Sequence, residues 1–469
     1  MSKLVLEKSN ELPNGWGRVR IGDIFEFNYG KSLSNENRVN GRFPVYGSSG
    51  IIGYHSQSLT NDRCLVIGRK GSAGEVYRSY TKCWPIDTTY YVHIPNELDF
   101  DFIYYAFINK KGDFVDNSTT IPSLVRDRAY EVTLPLAPLN EQKRIVAKIE
   151  ELFSKLDFFS ESVSKIKQQL KQYQQSVLKS AFEGKLTEVW RNEHITRLES
   201  ASDILKRILT PKKIQKSLEI TDLPNLPKNW IWTNVSMIEN FIGSGITPLG
   251  GKSVYVEKGI PFIRSQNVFL EGLKLDGIAH VTEEMHEQMA RTHLKDMDVL
   301  LNITGASIGR CTYVPNGFGY GNVNQHVCII RTSSDIFSPY LSYWLNSPLA
   351  QIMIFGAQKG ETREGLNYSQ IRSLLFPLCS LIEQNIIVQQ LEKSLTVISN
   401  TNKEMDRRLY DIRLLRQSIL KDAFRGKLVS QVPNDEPVEI LLQRIKQEKK
   451  NQKIIKSTSI KPRRIKNAK

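Results

Sequence analysis

Cysteine is scarce in this chain of 469 residues: Cys64, Cys83, Cys311, Cys328 and Cys379 are all there are. None forms a CxxC pair or a metal-ligand spacing. That excludes a disulfide scaffold and a cysteine-based zinc fold, and it points to a reducing compartment. Long apolar runs are missing as well. Nothing approaches the roughly 18 residues that a membrane span needs. The start, MSKLVLEKSNELPNGW, lacks the apolar core of a signal peptide. The expectation is a cytoplasmic protein with no membrane contact.

Catalytic motifs are absent too. GSGITPLGGKS at 243–253 ends like a phosphate-binding loop, but that loop needs a glycine where Ile246 stands. NYGKS at 28–32 also lacks the upstream glycine. No GxGxxG follows a strand, and no Asn/Asp-Pro-Pro-aromatic segment of the amino-methyltransferase kind is present. His280, His286 and His293, with Glu283 and Glu284 nearby, match no standard ligand set, so they read as a surface helix and not as a metal site. No nucleophile has a recognisable setting. A chain that binds rather than catalyses, with no cofactor of its own, is expected.

Positive charge is plentiful. The formal net charge of +15 suits an acidic partner such as nucleic acid. The surplus is uneven: residues 444–469 hold eleven Lys/Arg and one acid, leaving about +5 for the rest. That tail reads as a solvated, disordered extension and says little about function alone.

Self-similarity is the stronger signal. SVLKSAFEGKL at 176–186 returns as SILKDAFRGKL at 418–428, with eight of eleven positions identical at an offset of 242 residues. Upstream at the same offset, Pro135, Glu141, Gln142, Ile145 and Ile149 match Pro377, Glu383, Gln384, Ile387 and Leu391. LPNGW at 12–16 and LPKNW at 226–230 open the two halves, and Glu199 with 204–208 matches Glu436 with 441–445. The expected segments are a first block at 1–135, a long helix at 136–186, and a short helix and linker at 187–225. The second copy has a block at 226–377, a long helix at 378–428, and a short helix with the basic tail at 429–469. The short helix precedes the second block in one copy and ends the chain in the other. The C-terminal segment should therefore return to the first block.

The long segments carry heptad seams. Ile145, Ile149, Leu152, Leu156, Phe159, Val163, Ile166, Leu170, Tyr173 and Val177 alternate by four and three, with no Pro or Gly inside. The second seam is Val388, Leu391, Leu395, Ile398, Asn402, Met405, Leu409, Ile412, Arg416 and Ile419, with two polar interruptions. Each helix would be roughly 64 Å long at 1.5 Å per residue. Antiparallel pairing within the chain, with a block at each end, is the simplest way to bury both seams. The alternatives are a core helix in each of two separate domains, or pairing with another chain. The fold class is α+β: two blocks separated by two long antiparallel helices forming an intramolecular coiled coil, with a pseudo-two-fold internal repeat.

The blocks resemble each other only at their edges and in a central glycine region. RCLVIGRKGSAGEVY and TTYYVHI in the first, and VLLNITGASIGRCTYV and NQHVCIIR in the second, read as strands bounded by glycine turns. Residues 100–109 and 339–346 read as short helices. Arg63, Arg69, Lys70, Arg264, Arg310, Lys359 and Arg363 are candidates for guanine or phosphate contacts, and Gln57, Gln266, Asn267, Gln325 and Asn367 for adenine.

Together these motifs resemble the specificity (S) subunit of type I restriction–modification enzymes. The resemblance rests on LPNGW and LPKNW, the GRKGSAG and ITGASIG turns, LPLAPLNEQKRIVAKIEELF with its copy FPLCSLIEQNIIVQQLEKSL, and the two SxLKxAFxGKL segments. It covers residues 12 to about 450. Cys379, Ser380, Ile382 and Asn385 depart from the family pattern and are expected to weaken the start of the second long helix. The resemblance implies two target recognition domains, each reading half of a bipartite double-stranded DNA sequence, on helices that set the gap and dock two modification (methyltransferase) subunits. Restriction subunits would join that core, and S-adenosylmethionine, ATP and magnesium would belong to the partners. The alternatives are a subunit of a related methylation system without cleavage, a coiled-coil scaffold that binds no DNA, and a nuclease or methyltransferase acting alone.

Overall fold

The computed structural model describes residues 12–116, 123–208, 223–248, 250–357 and 365–458. They divide into two compact units, one of residues 1–163 with 407–469, the other of 164–406. Each unit holds one block, here called a head, and part of each long helix.

In the first unit the head opens on β1 (Gly17–Arg20) and α1 (Ile21–Ile24). The strands β2 (Asn28–Tyr29), β3 (Phe43–Gly47), β4 (Gly50–His55), β5 (Cys64–Gly68), β6 (Val76–Ser79), β7 (Trp84–Pro85) and β8 (Thr89–Val92) follow. After them come α2 (Phe100–Phe114), β9 (Val115–Asp116), β10 (Ser123–Leu124), α3 (Arg126–Glu131) and β11 (Thr133–Leu136). One sheet has the order β2-β8-β5-β6 and a second the order β4-β3-β7. The apolar run CLVIG is buried along its whole length, as befits a strand covered on both faces. β1 pairs antiparallel with β11, which ties the head's entrance to its exit. From there α4 (Leu139–Phe182) departs.

The second unit repeats this plan. After α5 (Glu188–His194) and α6 (Ala201–Ile208), its head runs through β12 (Ile231–Asn234), α7 (Val235–Ile238), β13 (Glu239–Ser244), β14 (Ile260–Ile263), β15 (Val268–Phe269), β16 (Gly272–Leu273) and β17 (Ala279–Val281). It continues with α8 (Glu283–Gln288), β18 (Val299–Asn302), β19 (Cys311–Tyr313), β20 (Asn322–Val323), β21 (Val327–Thr332), α9 (Ser338–Leu345), α10 (Pro348–Ala357), α11 (Tyr368–Ser373) and β22 (Leu375–Leu378). The sheets are β13-β21-β18-β19 and β17-β14-β20, and β12 closes on β22. In both heads the middle strand of the three-stranded sheet is antiparallel to one neighbour and parallel to the other. The heads thus share one topology, which their sequences conceal. The second differs by insertions, the β15–β16 hairpin and α8; the β9–β10 pair of the first has no counterpart among the described residues of the second.

The long helices α4 and α12 (Leu381–Ala423) run antiparallel within each unit. In the first unit, Ile145 and Ile149 share a core with Leu420, Ala423 and Phe424, and further along α4 Arg416 stacks over Phe153 and pairs with Asp157. In the second, Lys167 pairs with Asp406 at 2.6 Å, and Val177 and Leu178 share a core with Ile387, Val388 and Leu391. Two helices alone cannot enclose a seam. Leu152, Leu156, Val163, Leu170, Leu395, Met405, Leu409, Ile412 and Ile419 are half-buried, Ile398 is buried, and Phe159, Ile166 and Tyr173 are exposed.

Both helices stop at the same device. Gly184 and Gly426 take φ +71° and +69°. The next residue's N–H returns to the carbonyl five residues back, Lys185 to Ser180 at 3.0 Å and Lys427 to Asp422 at 2.9 Å. The start of α12 is not weakened as expected: Ser380 is buried, and its Oγ accepts from the Glu383 N–H at 3.3 Å.

The C-terminal segment also differs from expectation. α13 (Val438–Thr458) is a helix well beyond the short match at 436–445; residues 459–469 lie outside the described residues. The Val438 N–H donates to Gly15 O at 2.9 Å, and Val438, Leu441, Leu442 and Ile445 enter the first head's core. Ala201, Ile204 and Ile208 do the same in the second unit, where the Ala201 N–H donates to Asn229 O at 3.1 Å. The chain's end thus returns to the first head. All five cysteines are buried free thiols; Cys64 and Cys83, distant in sequence, lie with their Sγ atoms 3.5 Å apart. No described helix is long and apolar enough to cross a membrane.

Candidate nucleic-acid interface

Each head is seated on its helix by the Glu-Gln pair of the repeat. Trp16 Nε1 donates to Glu141 Oε2 at 3.0 Å, and Trp230 Nε1 donates to Glu383 Oε2 at 2.9 Å. Gln142 accepts from the Asp99 N–H, at the start of α2, at 2.9 Å, and donates to Ala137 O at 2.8 Å. Gln384 accepts from the Phe337 N–H, at the start of α9, at 2.8 Å, and donates to Cys379 O at 2.9 Å. All four side chains are buried. Burial pushes the Glu141 carboxyl up, and the bonds from Trp16 and Gln431 pull it partly back. Glu383 accepts from Thr187 Oγ1 at 2.8 Å and lies 3.3 Å from the buried Arg191 guanidinium.

One edge of the sheets gathers the glycine turns. In the first head, Lys31 N donates to Pro85 O, and Arg69 N and Lys70 N donate to Thr88 O. Lys70 bridges to Ser123 just before Gly71, whose φ is +78°. In the second, Ile303 N donates to His326 O, and Thr304 bridges to Gly365 just before Gly305, at φ +72°. Lys70 and Thr304 therefore hold equivalent places, as do Asp87-Thr88 and Gln325-His326. Gly30 and Gly245 correspond too: a Cβ there would strike Ile86 O at 2.1 Å or Val323 O at 1.6 Å.

The first head's edge is basic and aromatic. The Arg69 guanidinium donates twice to Asp87 O, at 2.8 and 3.2 Å, and lies 5.6 Å from the Tyr29 ring. Arg126 covers the same ring at 5.5 Å, and Tyr29 is 54% exposed. Burial and the neighbouring Tyr29 push the Tyr90 phenol up to about 12, so it stays protonated beneath the cations. Lys31 and Lys70 are exposed. This surface suits phosphate contacts and base stacking.

The structure brings Arg69 and Lys70 together and leaves Arg63 at the opposite end of β5, over the Phe100 ring. Gln57 is exposed beyond β4. In the second head, Arg264, Gln266, Gln325 and Arg310 gather on the edge, with Arg310 over Phe269 and Arg264 over Tyr255. Asn267 is only 2% exposed; its Oδ1 accepts from Arg264 N and its Nδ2 donates to Lys274 O, so its amide is spent on its own turn. Asn367 caps α11 by accepting from Gln370 N at 2.9 Å. Lys359 and Arg363 lie outside the described residues. Sequence reasoning missed Tyr29, Lys31, Arg126, Thr304 and His326. Gly30 beside Tyr29 and Lys31, and His326 beside Gln325, were the available signals.

A surface helix is present in α8, where Glu283 and Glu284 are exposed, but the histidines do not share its exposed face: His280 lies on β17 and His293 beyond the helix. His286 is buried and its Nδ1 lies 2.5 Å from Asn322 Oδ1; His293 Nε2 donates to His286 O at 2.7 Å. Ligand atoms of His286, Glu287 and His293 lie within 4.8 Å of one another, but the rings stack face to face, 3.6 Å apart and 5° from parallel. In-plane lone pairs on parallel rings do not converge on one ion, so the arrangement fits a packed pair that latches α8 to the following loop.

The family model for the type I restriction modification DNA specificity domain matches residues 13–172 and 246–407. The specificity subunit of the type I restriction enzyme EcoBI from Escherichia coli is 28% identical over 328 residues, covering 68% of this chain and 64% of that protein. The EcoDI specificity subunit, also from Escherichia coli, is 21% identical over 438 residues, covering 92% of each. Among solved structures, a chain from work on complex assembly and conformational transition of a type I restriction–modification system superposes with a TM-score of 0.59 at 17% identity. That match covers 89% of this chain and 99% of the other, which is a likeness of fold.

Proposed function

The chain belongs to the type I restriction–modification DNA specificity family, and from that premise we propose that its two heads each read one half of a bipartite double-stranded DNA target. One observation carries this reading: a single head topology occurs twice with unlike side chains on the equivalent edge. Lys70 and Asp87-Thr88 stand where the other head has Thr304 and Gln325-His326. Equal scaffolds with unequal edges suit two unlike half-sites. The cations of the first edge suit phosphates, which position a head without specifying sequence.

The chain itself performs no chemistry in this reading. The long helices set the gap between half-sites, and their exposed apolar residues dock two modification (methyltransferase) subunits. Phe158, Phe159, Tyr410, Leu414 and Leu415 are exposed in the first unit, and Ile166, Tyr173 and Val397 in the second. Clustered exposed apolar side chains of this kind favour a protein partner. Restriction subunits join that core in the cytoplasm, and S-adenosylmethionine, ATP and magnesium act in the partners.

Selection from a pool of random duplex DNA tests the reading, with the chain assembled with its modification subunits. The expected result is an enriched sequence of two unlike blocks separated by a fixed unspecified gap, with binding that weakens steeply with salt. A single uninterrupted motif, or no enrichment, would overturn it.

A further inference from the structure

The turn from β20 into β21 carries a closely held imidazole on the second head's edge. His326 is half-buried and tied on both sides: its carbonyl accepts from Ile303 N at 3.0 Å and its N–H donates to Asn324 Oδ1 at 3.1 Å. Thr304 Oγ1 stands 2.6 Å from His326 Nδ1. Thr304 is itself fixed by its bridge to Gly365. The ring's other nitrogen, Nε2, lies 3.5 Å from the amide nitrogen of Gln325, which is exposed. A side-chain amide nitrogen can only donate, so the contact makes Nε2 the acceptor and places the ring proton on Nδ1, facing Thr304.

We propose that Gln325 reads an adenine in the second half-site, and that Thr304 and His326 are positioning residues that hold its amide plane. This rests on the reading of the heads given above. An adenine offers N6–H to an acceptor and N7 to a donor, and a glutamine amide supplies both. The amide nitrogen has two hydrogens. One meets His326, and the other stays available for N7 beside the carbonyl oxygen for N6. A free surface glutamine loses rotamer freedom on binding. One held by a fixed imidazole has lost part of it already, which favours affinity and discrimination. The first head has Asp87 and Thr88 on the equivalent turn, and Arg69 already occupies the Asp87 carbonyl. The same backbone position thus carries different recognition chemistry in the two heads.

The experiment uses the chain assembled with its modification subunits and duplexes bearing the sequence selected by the wild type, with each base pair permuted in turn. Gln325→Ala should lower discrimination at one A·T pair of the second half-site by roughly 5- to 150-fold. Preferences in the first half-site and the dependence on salt should stay as they are. Gln325→Glu should move the preference at that pair toward C·G, since a carboxylate accepts from cytosine N4. Thr304→Val should blunt the same position less, and Thr304→Ser should keep it. Unchanged preferences in Gln325→Ala would overturn the proposal. So would a loss spread evenly over all sequences with a shallower salt dependence, the mark of a phosphate contact. If the wild-type assembly enriches no two-part sequence, the reading of the heads fails instead, and the two failures are thereby distinguishable.

Discussion

Glu141 and Glu383 occupy matching positions of the repeat, are equally buried, and accept from matching tryptophans, yet they are not energetically alike. Glu383 also faces Arg191, and both charges are shielded from water. Removing one partner of a buried ion pair strands the other, at a cost of about 3 kcal/mol or more. Glu383→Gln should therefore destabilise the chain by about that much, and Glu141→Gln by only about 1 kcal/mol, because an amide oxygen still accepts from Trp16 and only the added strength of a charged acceptor is lost. Urea unfolding of the two variants checks the order. The pH dependence is a second test. A raised pKa means the folded chain holds the Glu141 proton more tightly than the unfolded chain. This carboxyl's contribution then falls as pH rises through and above its ordinary value of 4.5. Glu141→Gln should flatten the loss of stability over that range; an unchanged slope would contradict the burial argument. The sequence made the Glu-Gln pair visible as a repeat but not its task, because Trp16 lies far from Glu141 along the chain. Asn267 failed as a base reader for a related reason: nothing local reveals that its amide is already used by Lys274 and Arg264.

At the scale of elements, the FxGKL ending couples helix termination to docking of a head. A Cβ on Gly184 would lie 2.3 Å from Pro227 Cγ, and one on Gly426 2.2 Å from Pro13 Cγ. Each helix-ending glycine thus packs on the proline of an LPxxW motif, in the first unit by way of the chain's distant end. Left-handed backbone costs an alanine roughly 1–2 kcal/mol before any clash. Gly426→Ala should lower stability by at least about that much, and adding Pro13→Ala should recover the part due to the clash. A double mutant no more stable than Gly426→Ala alone would place the whole cost in the backbone. The heptad spacing made the helices legible, together with their glycine stops. It overstated their burial, because periodicity reports which residues share a face and not whether a partner covers it. Phe159, Ile166 and Tyr173 lie on the seam and remain exposed.

For the whole molecule, the frame was legible because close repeats keep their spacing, while the common topology of the heads was not. Insertions such as β15–β16 and α8 shift the register, and the strands share only an apolar character that any buried strand has. The edges are where the heads differ, and that difference is the central claim. It predicts the behaviour of a chain whose second head, residues 226–377, is replaced by a copy of the first. The most direct measurement is selection from random duplex DNA by the wild-type and head-duplicated chains, each assembled with its modification subunits. The wild type should enrich two unlike half-sites. The duplicated chain should keep the first half-site and acquire a second copy of it in place of the second, giving a target of two like half-sites with a gap. Retention of the original second half-site by the duplicated chain would contradict the assignment of sequence reading to the heads.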